Sequence, residues 1–217
     1  MICDLMEIYK ALLERYGVQG WWPGEGGFET MVGAVLTQNT NWGNVEKALQ
    51  NLKEARVLTP EAIDDMAGEE LAQLIKPAGY YNIKARRLKN LVGWFRGEYD
   101  GSIAALQGYS IEQLREELLG INGVGRETAD SIILYAVGKC TFVVDSYTCR
   151  VLVRHGCIEA ECTYDEVKEF CENRLPVETG LYNEFHALLV QVGKNHCKVR
   201  AQCSNCPLER FEHIIEA

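Results

Sequence analysis

Apolar residues recur at helical spacing along most of the chain. Leu5, Ile8, Leu12 and Tyr16 share one face of a first predicted helix, and Gly17 ends it. Phe28 to Thr37 is an apolar stretch; Thr40 is the expected N-cap of the next helix, which carries Val45, Leu49 and Leu52. Thr59-Pro60 reads as a cap followed by proline at the first helical position, and Ser110 with Gln113 and Thr163 with Glu166 read as capping boxes. Pro77 stops one helix, and Gly79 turns the chain into another that carries Ile83, Leu88, Leu91 and Phe95. Tyr182, Phe185, Leu189 and Val192 form a late amphipathic face. Alternation of the strand kind is scarce. Thr141 to Val144 reads either as a short strand or as a connector. The pattern predicts an all-α fold with no repeat and no long linker.

Composition bounds the function more loosely. The 217 residues, 47% of them hydrophobic, suffice for one large or two small domains with a sizeable core. No apolar run is long enough to span a membrane. Asp4 and Glu7 stand where a secretory signal would be basic, so a cytoplasmic chain is expected. In that compartment nine cysteines argue against a disulfide framework and for a metal site. The net charge of −9, taken alone, argues against nucleic acid. Two local clusters, Lys84, Arg86, Arg87 and Lys89 and then Arg150 and Arg154, keep the partner open.

The most specific segment is Leu118-Leu119-Gly120-Ile121-Asn122-Gly123-Val124-Gly125-Arg126-Glu127-Thr128-Ala129. A helix runs into a glycine-rich turn and a new helix leaves it. Such a turn is either a plain helix connection or a hairpin whose backbone N–H groups can hold a phosphate. Further on, Val143-Val144-Asp145 places a carboxylate just before a helix, where an Asp N-cap is the simpler reading. The hairpin, the apolar helix after it and Val-Val-Asp together resemble the helix-hairpin-helix DNA glycosylase superfamily, which includes endonuclease III, from about Trp21 to Pro207. The resemblance implies that Asp145 is the catalytic carboxylate. It implies that Gln38, in Leu36-Thr37-Gln38-Asn39-Thr40, fills the gap left by a flipped base, and that Gly123, Val124, Gly125 and Arg126 hold double-stranded DNA containing a damaged base.

Departures from the pattern narrow the reading. Glu127 occupies the position at which bifunctional relatives carry a lysine nucleophile, and a carboxylate cannot form a Schiff base. Gly33 occupies the position of the glutamate of adenine-mismatch glycosylases. Trp21-Trp22-Pro23, Gly33 to Thr40, Gly79-Tyr80-Tyr81-Asn82 and Glu127-Thr128-Ala129-Asp130 resemble the 3-methyladenine glycosylases of the MagIII type. That resemblance implies a base pocket of Trp21, Trp22 and Trp42, although core packing is the ordinary fate of tryptophan. It also implies monofunctional release of alkylated purines such as 3-methyladenine. An endonuclease III-like glycosylase and lyase acting on oxidised pyrimidines, or a non-catalytic DNA-binding relative, are the alternatives.

Cys197-x5-Cys203-x2-Cys206 follows the last amphipathic helix. It resembles the loop that holds a 4Fe–4S cluster in endonuclease III, spaced C-x6-C-x2-C-x5-C, with a first gap one residue shorter and Glu212 near the place of the last cysteine. Cys157, Cys162, Cys171, His196 or His213 is the expected fourth ligand; a zinc site or no metal is the alternative. Cys140 and Cys149 are expected to pack as small apolar residues. The resemblance implies a monomer of two helical lobes, 27–138 and 1–26 with 139–217, with DNA in a cleft between them.

Overall fold

The computed structural model describes residues 3–21 and 26–214, and among these there are twelve α-helices and no strand. The chain divides into two compact units, Met1–Pro23 with Cys140–Ala217, and Gly24–Lys139. No helix among the described residues is long and apolar enough to cross a membrane.

The continuous unit holds α2 (Gly27–Leu36), α3 (Trp42–Glu54), α4 (Pro60–Asp65), α5 (Gly68–Leu74), α6 (Tyr81–Tyr99), α7 (Ile103–Leu106), α8 (Ile111–Gly120) and α9 (Arg126–Ser131). A 3-10 turn, Lys76–Ala78, contains Pro77, and α9 runs on into a π-helical segment, Ile132–Val137. Thr59 caps α4 ahead of Pro60, and Ser110 and Gln113 form the expected capping box on α8. The N-cap of α3 is Asn41, whose side chain accepts from the Asn44 amide; Thr40 accepts instead from the Asn44 side chain. The buried face of α6 is Lys84, Ala85, Leu88, Leu91, Val92, Phe95 and Tyr99, whereas Ile83 is exposed. These side chains join Met31, Val35, Leu49, Leu71 and Ile132 in one core.

The other unit holds α1 (Leu5–Tyr16), α10 (Ser146–Arg154), α11 (Tyr164–Glu172) and α12 (Thr179–Asn195). Asp4 caps α1 through the amides of Met6 and Glu7, and the Gly17 amide closes its end on the Leu13 carbonyl. Thr163 and Glu166 form the capping box on α11. Tyr182, Phe185, Leu188, Leu189 and Val192 line the buried face of α12, and α12 packs on α1 and α10. Thr141 to Val144 is a buried connector. Cys3 and Cys157 are joined in a disulfide, against the expectation from the cysteine count. The start of α1 and the turn after α10 meet in space although 154 residues separate the two sulfurs along the chain, a pairing no local pattern could signal.

Candidate functional site

Asp145 begins α10 and does two things at once. Its Oδ1 accepts the Thr148 backbone amide at 2.7 Å, the N-cap bond expected of an aspartate there. Its Oδ2 lies 3.5 Å from His186 Nε2 on α12, with the two side chains only 13% and 7% exposed. Burial pushes the Asp145 carboxyl up, but the imidazole of His186 and the bonds from Thr148 outweigh it and hold the carboxyl below its ordinary range. Trp21 meets the His186 ring edge-on with centroids 6.4 Å apart. Lys194 Nζ sits 5.7 Å over the centre of the Trp21 ring. The Trp21 indole N–H is buried with no hydrogen-bond partner in the protein. A half-buried ring with an unanswered donor, one imidazole away from the carboxylate, is a place where a ligand can supply the missing acceptor.

In the continuous unit the Gln loop and the hairpin are tied together. Gln38 Nε2 donates to the Gly123 carbonyl and to Thr128 Oγ1, both at 3.0 Å, and Arg87 Nη1 donates to Gln38 Oε1 at 2.6 Å. Gly123 has φ of +103°, and a Cβ placed on it would stand 2.2 Å from Arg87 Cγ, so glycine is required twice over. Val124 is buried and anchors the turn, while Gly125 and Arg126 at the start of α9 are exposed. Asp130 is fully buried and takes a two-pronged bond from Arg115 at 2.9 and 3.3 Å, joining the two helices of the hairpin. Glu127 lies in the first turn of α9, with its residue exposed.

The two described tryptophans of the aromatic trio belong to different units. Trp42, at the start of α3, packs on the core of the continuous unit and donates its indole N–H to Glu46. Trp21 belongs to the other unit, and Trp22 lies outside the described residues.

The basic clusters prove largely internal. Lys84 is 1% exposed and donates to the Leu36 and Ala78 carbonyls at 2.8 and 2.7 Å. Burial, helped by the charge of Arg87, pushes its ammonium down to about 8. Lys89 donates to the carbonyls of Ile63, Asp64 and Met66. Neither side chain lies on the surface face that the sequence suggests. Arg150 donates to the Cys197 carbonyl, and Arg154 to those of Lys198 and Val199 and to Cys197 Sγ, so α10 clamps the cysteine loop.

Cys197, Cys203 and Cys206 line one small cavity with His155, His196 and His213. Burial, and to a lesser degree the neighbouring Cys203 and Cys197, push the Cys206 thiol up. Among the described residues no group of three or more His, Cys, Asp or Glu is arranged to hold a metal ion. The disulfide withdraws Cys157 from the fourth-ligand candidates, and Cys162 and Cys171 are absent from the cavity wall. Cys140 and Cys149 are partly exposed rather than packed away.

A capped, buried aspartate after a glycine hairpin defines the class. Residues 32–177 match the HhH-GPD superfamily of base excision DNA repair proteins, and the chain belongs to that family. It is 47% identical over 208 residues to a Methanocaldococcus jannaschii protein provisionally named DNA repair glycosylase MJ1434, covering 95% of this chain and 94% of that one. Endonuclease III of Thermotoga maritima is 30% identical over 183 residues, covering 84% and 80%. Among solved structures, the Helicobacter pylori 3-methyladenine DNA glycosylase MagIII bound to 1,N6-ethenoadenine superposes with a TM-score of 0.76 at 34% identity, covering 88% of this chain and 98% of that one. A non-covalent endonuclease III–DNA complex does so with 0.81 at 25% identity, covering 97% and 95%. Sequence reasoning missed His186 as the neighbour of Asp145 and Lys84 as an internal donor; Tyr80, within the motif noted above, is an exposed ring held at positive φ just before α6.

Proposed function

We propose that the protein is a monofunctional DNA glycosylase that releases alkylated purines such as 3-methyladenine from duplex DNA. The observation that carries the reading is Asp145, little exposed and held below its ordinary range beside His186, whose ring the Trp21 indole meets edge-on. A carboxylate held below its ordinary pKa is a weak general base but a strong electrostatic partner for a sugar cation. A purine alkylated at N3 is positively charged and leaves readily, so no strong acid is needed to protonate it. An aromatic face attracts such a cation by roughly 0.5–2 kcal/mol. Water then adds to the sugar carbon as the C–N bond breaks, leaving an abasic strand and the free base. Gln38 and the hairpin residues Gly123, Val124, Gly125 and Arg126 are the proposed DNA contacts, Gln38 taking the place of the extruded base.

A second reading, an endonuclease III-like lyase, is favoured by the cysteine loop and by Lys194, the amine nearest Trp21. The cavity wall supplies thiols and imidazoles, the donor types such a group takes, without holding three of them in a metal-binding arrangement. Cys197, Cys203 and Cys206 would hold a 4Fe–4S cluster or a zinc ion with His213 or His196. The Nδ1 atoms of these histidines lie 2.8 Å from the Phe211 carbonyl and 3.1 Å from the Gln202 carbonyl, which leaves Nε2 to ligate. The group would be structural, stiffening the loop that α10 clamps.

Base release from duplexes carrying 3-methyladenine, 7-methylguanine, hypoxanthine or an oxidised pyrimidine tests the reading, with borohydride added in parallel. The expected result is release of alkylated purine, its loss in Asp145→Asn with DNA binding retained, and no trapped adduct. Trapping that disappears in Lys194→Ala would establish the lyase reading instead.

A further inference from the structure

Asp145 has two carboxylate oxygens, and the helix cap uses one of them. The other, Oδ2, lies at an ion-pair distance of 3.5 Å from His186 Nε2 on the facing helix, outside good hydrogen-bond geometry. We infer that His186 is a positioning residue for Asp145, fixing Oδ2 in the orientation in which it opposes the developing sugar cation. The inference rests on the glycosylase reading.

Three observations carry it. First, His186 is a polar side chain on the buried face of α12, among Tyr182, Phe185, Leu189 and Val192. A packing role there would be filled at lower cost by an aliphatic residue, because a buried imidazole must be desolvated. Second, α10 packs closely on α12 about two turns from His186: a Cβ on Gly193 would stand 2.4 Å from Tyr147 Cδ1. That close approach limits how far the two helices can part. Third, the ring is braced from behind by Trp21, which in turn lies under Lys194. Carboxylate, imidazole, indole and ammonium thus form one continuous row within a single unit.

Charged and titratable groups come to the pair from both helices. Asp145 and Tyr147 come from α10, with Arg150 over the Tyr147 ring at 5.1 Å, and His186 and Lys194 come from α12. Asp145 is affected by His186 and Thr148 against the opposing effect of burial. Without the imidazole, burial is opposed by the cap alone. The carboxyl then takes up a proton at a higher pH and loses the charge that the reaction uses.

The test is single-turnover release of 3-methyladenine across roughly pH 3 to 8, a window that takes in a lowered carboxylate and the ordinary carboxylate range. His186→Phe keeps a ring for Trp21 and removes both nitrogens. Its acid limb should move up by about one pH unit, a roughly tenfold loss on the acid side with little loss at the alkaline end. His186→Gln, whose amide can replace Nε2, should restore part of the shift. A loss that is uniform across pH, or an acid limb that stays put, would overturn the inference and mark His186 as packing only. Carboxyl-carbon NMR of Asp145 gives a reading that needs neither turnover nor a variant. In the native protein the carboxyl should titrate below the ordinary carboxylate range, and titration at or above that range would overturn the pairing. A lowered carboxyl in a protein that releases no base from any duplex would support the pairing and overturn the glycosylase reading beneath it.

Discussion

Gly123→Ala perturbs the junction of the Gln loop and the hairpin at one atom. The new methyl would meet Arg87 at Cγ, Cδ and Cβ, at 2.2, 2.8 and 2.9 Å, so the root of the side chain has to move and not merely its tip. Moving it breaks the bond from Arg87 to Gln38, a charged donor on a neutral acceptor, worth about 1.5–3 kcal/mol. Holding alanine at the positive φ of this turn adds about 1–2 kcal/mol. Together these destabilise the protein by roughly 3–4 kcal/mol, which for a chain of this size lowers the melting temperature by roughly 6–15 °C. Urea unfolding of Gly123→Ala, Arg87→Ala and the double variant measures both parts. In the Arg87→Ala background the glycine substitution should cost the backbone strain and the residual contact with Cβ of residue 87, but not the clashes with Cγ and Cδ or the Gln38 bond, so the cycle should return a coupling of about 1.5 kcal/mol or more. Equal costs in the two backgrounds, or a single-variant cost below about 0.5 kcal/mol, would refute the claim that Arg87 is what the glycine makes room for.

Lys84 predicts a pH dependence of stability. Its folded pKa, lowered from 10.5 to about 8, means that the unfolded chain holds the extra proton between those values. Stability should therefore rise with pH through that window, by up to about 3 kcal/mol, and the rise should be absent in Lys84→Met when denaturant midpoints are compared at each pH. For the cysteine loop, protein purified without oxygen should contain iron and sulfide and absorb broadly in the visible, and Cys203→Ser should lose both. A colourless protein with one zinc per chain would decide for the zinc alternative.

What was legible in the sequence depended on how far the partners lie along the chain. Thr59-Pro60, Ser110 with Gln113 and Thr163 with Glu166 cap their helices as the sequence indicates, because a cap is settled within four residues. Thr40 missed by one position because Asn41, the next residue, can also cap. The helix from Tyr81 was legible as a helix but not in its rotation. Counting apolar residues selects Ile83, which is exposed, and rejects Lys84, which shares the buried stripe with Leu88 and Leu91. Its partners, the carbonyls of Leu36 and Ala78, lie 48 and 6 residues away, and no periodicity reports an open carbonyl. His186 was hidden in the same way, and Asp145 was visible only because a hairpin precedes it.

The same blindness bears on how DNA would be held. The clusters at Lys84 to Lys89 and at Arg150 and Arg154 offered a basic footprint on an acidic chain. Lys84, Arg87 and Lys89, and both arginines of α10, instead bond to groups within their own units. Of the first cluster Arg86 stays exposed, and Arg126 stands at the hairpin. With so few exposed cations in these segments, the proposed phosphate contacts fall to the backbone N–H groups of the hairpin, which need no charge. DNA binding should then lose affinity with salt less steeply than in a protein that neutralises many phosphates, where log K falls by about 0.9 per phosphate against log salt. A slope corresponding to six or more phosphates, roughly −5 or steeper, would show that cations elsewhere on the chain carry the contact and would refute the hairpin's dominance.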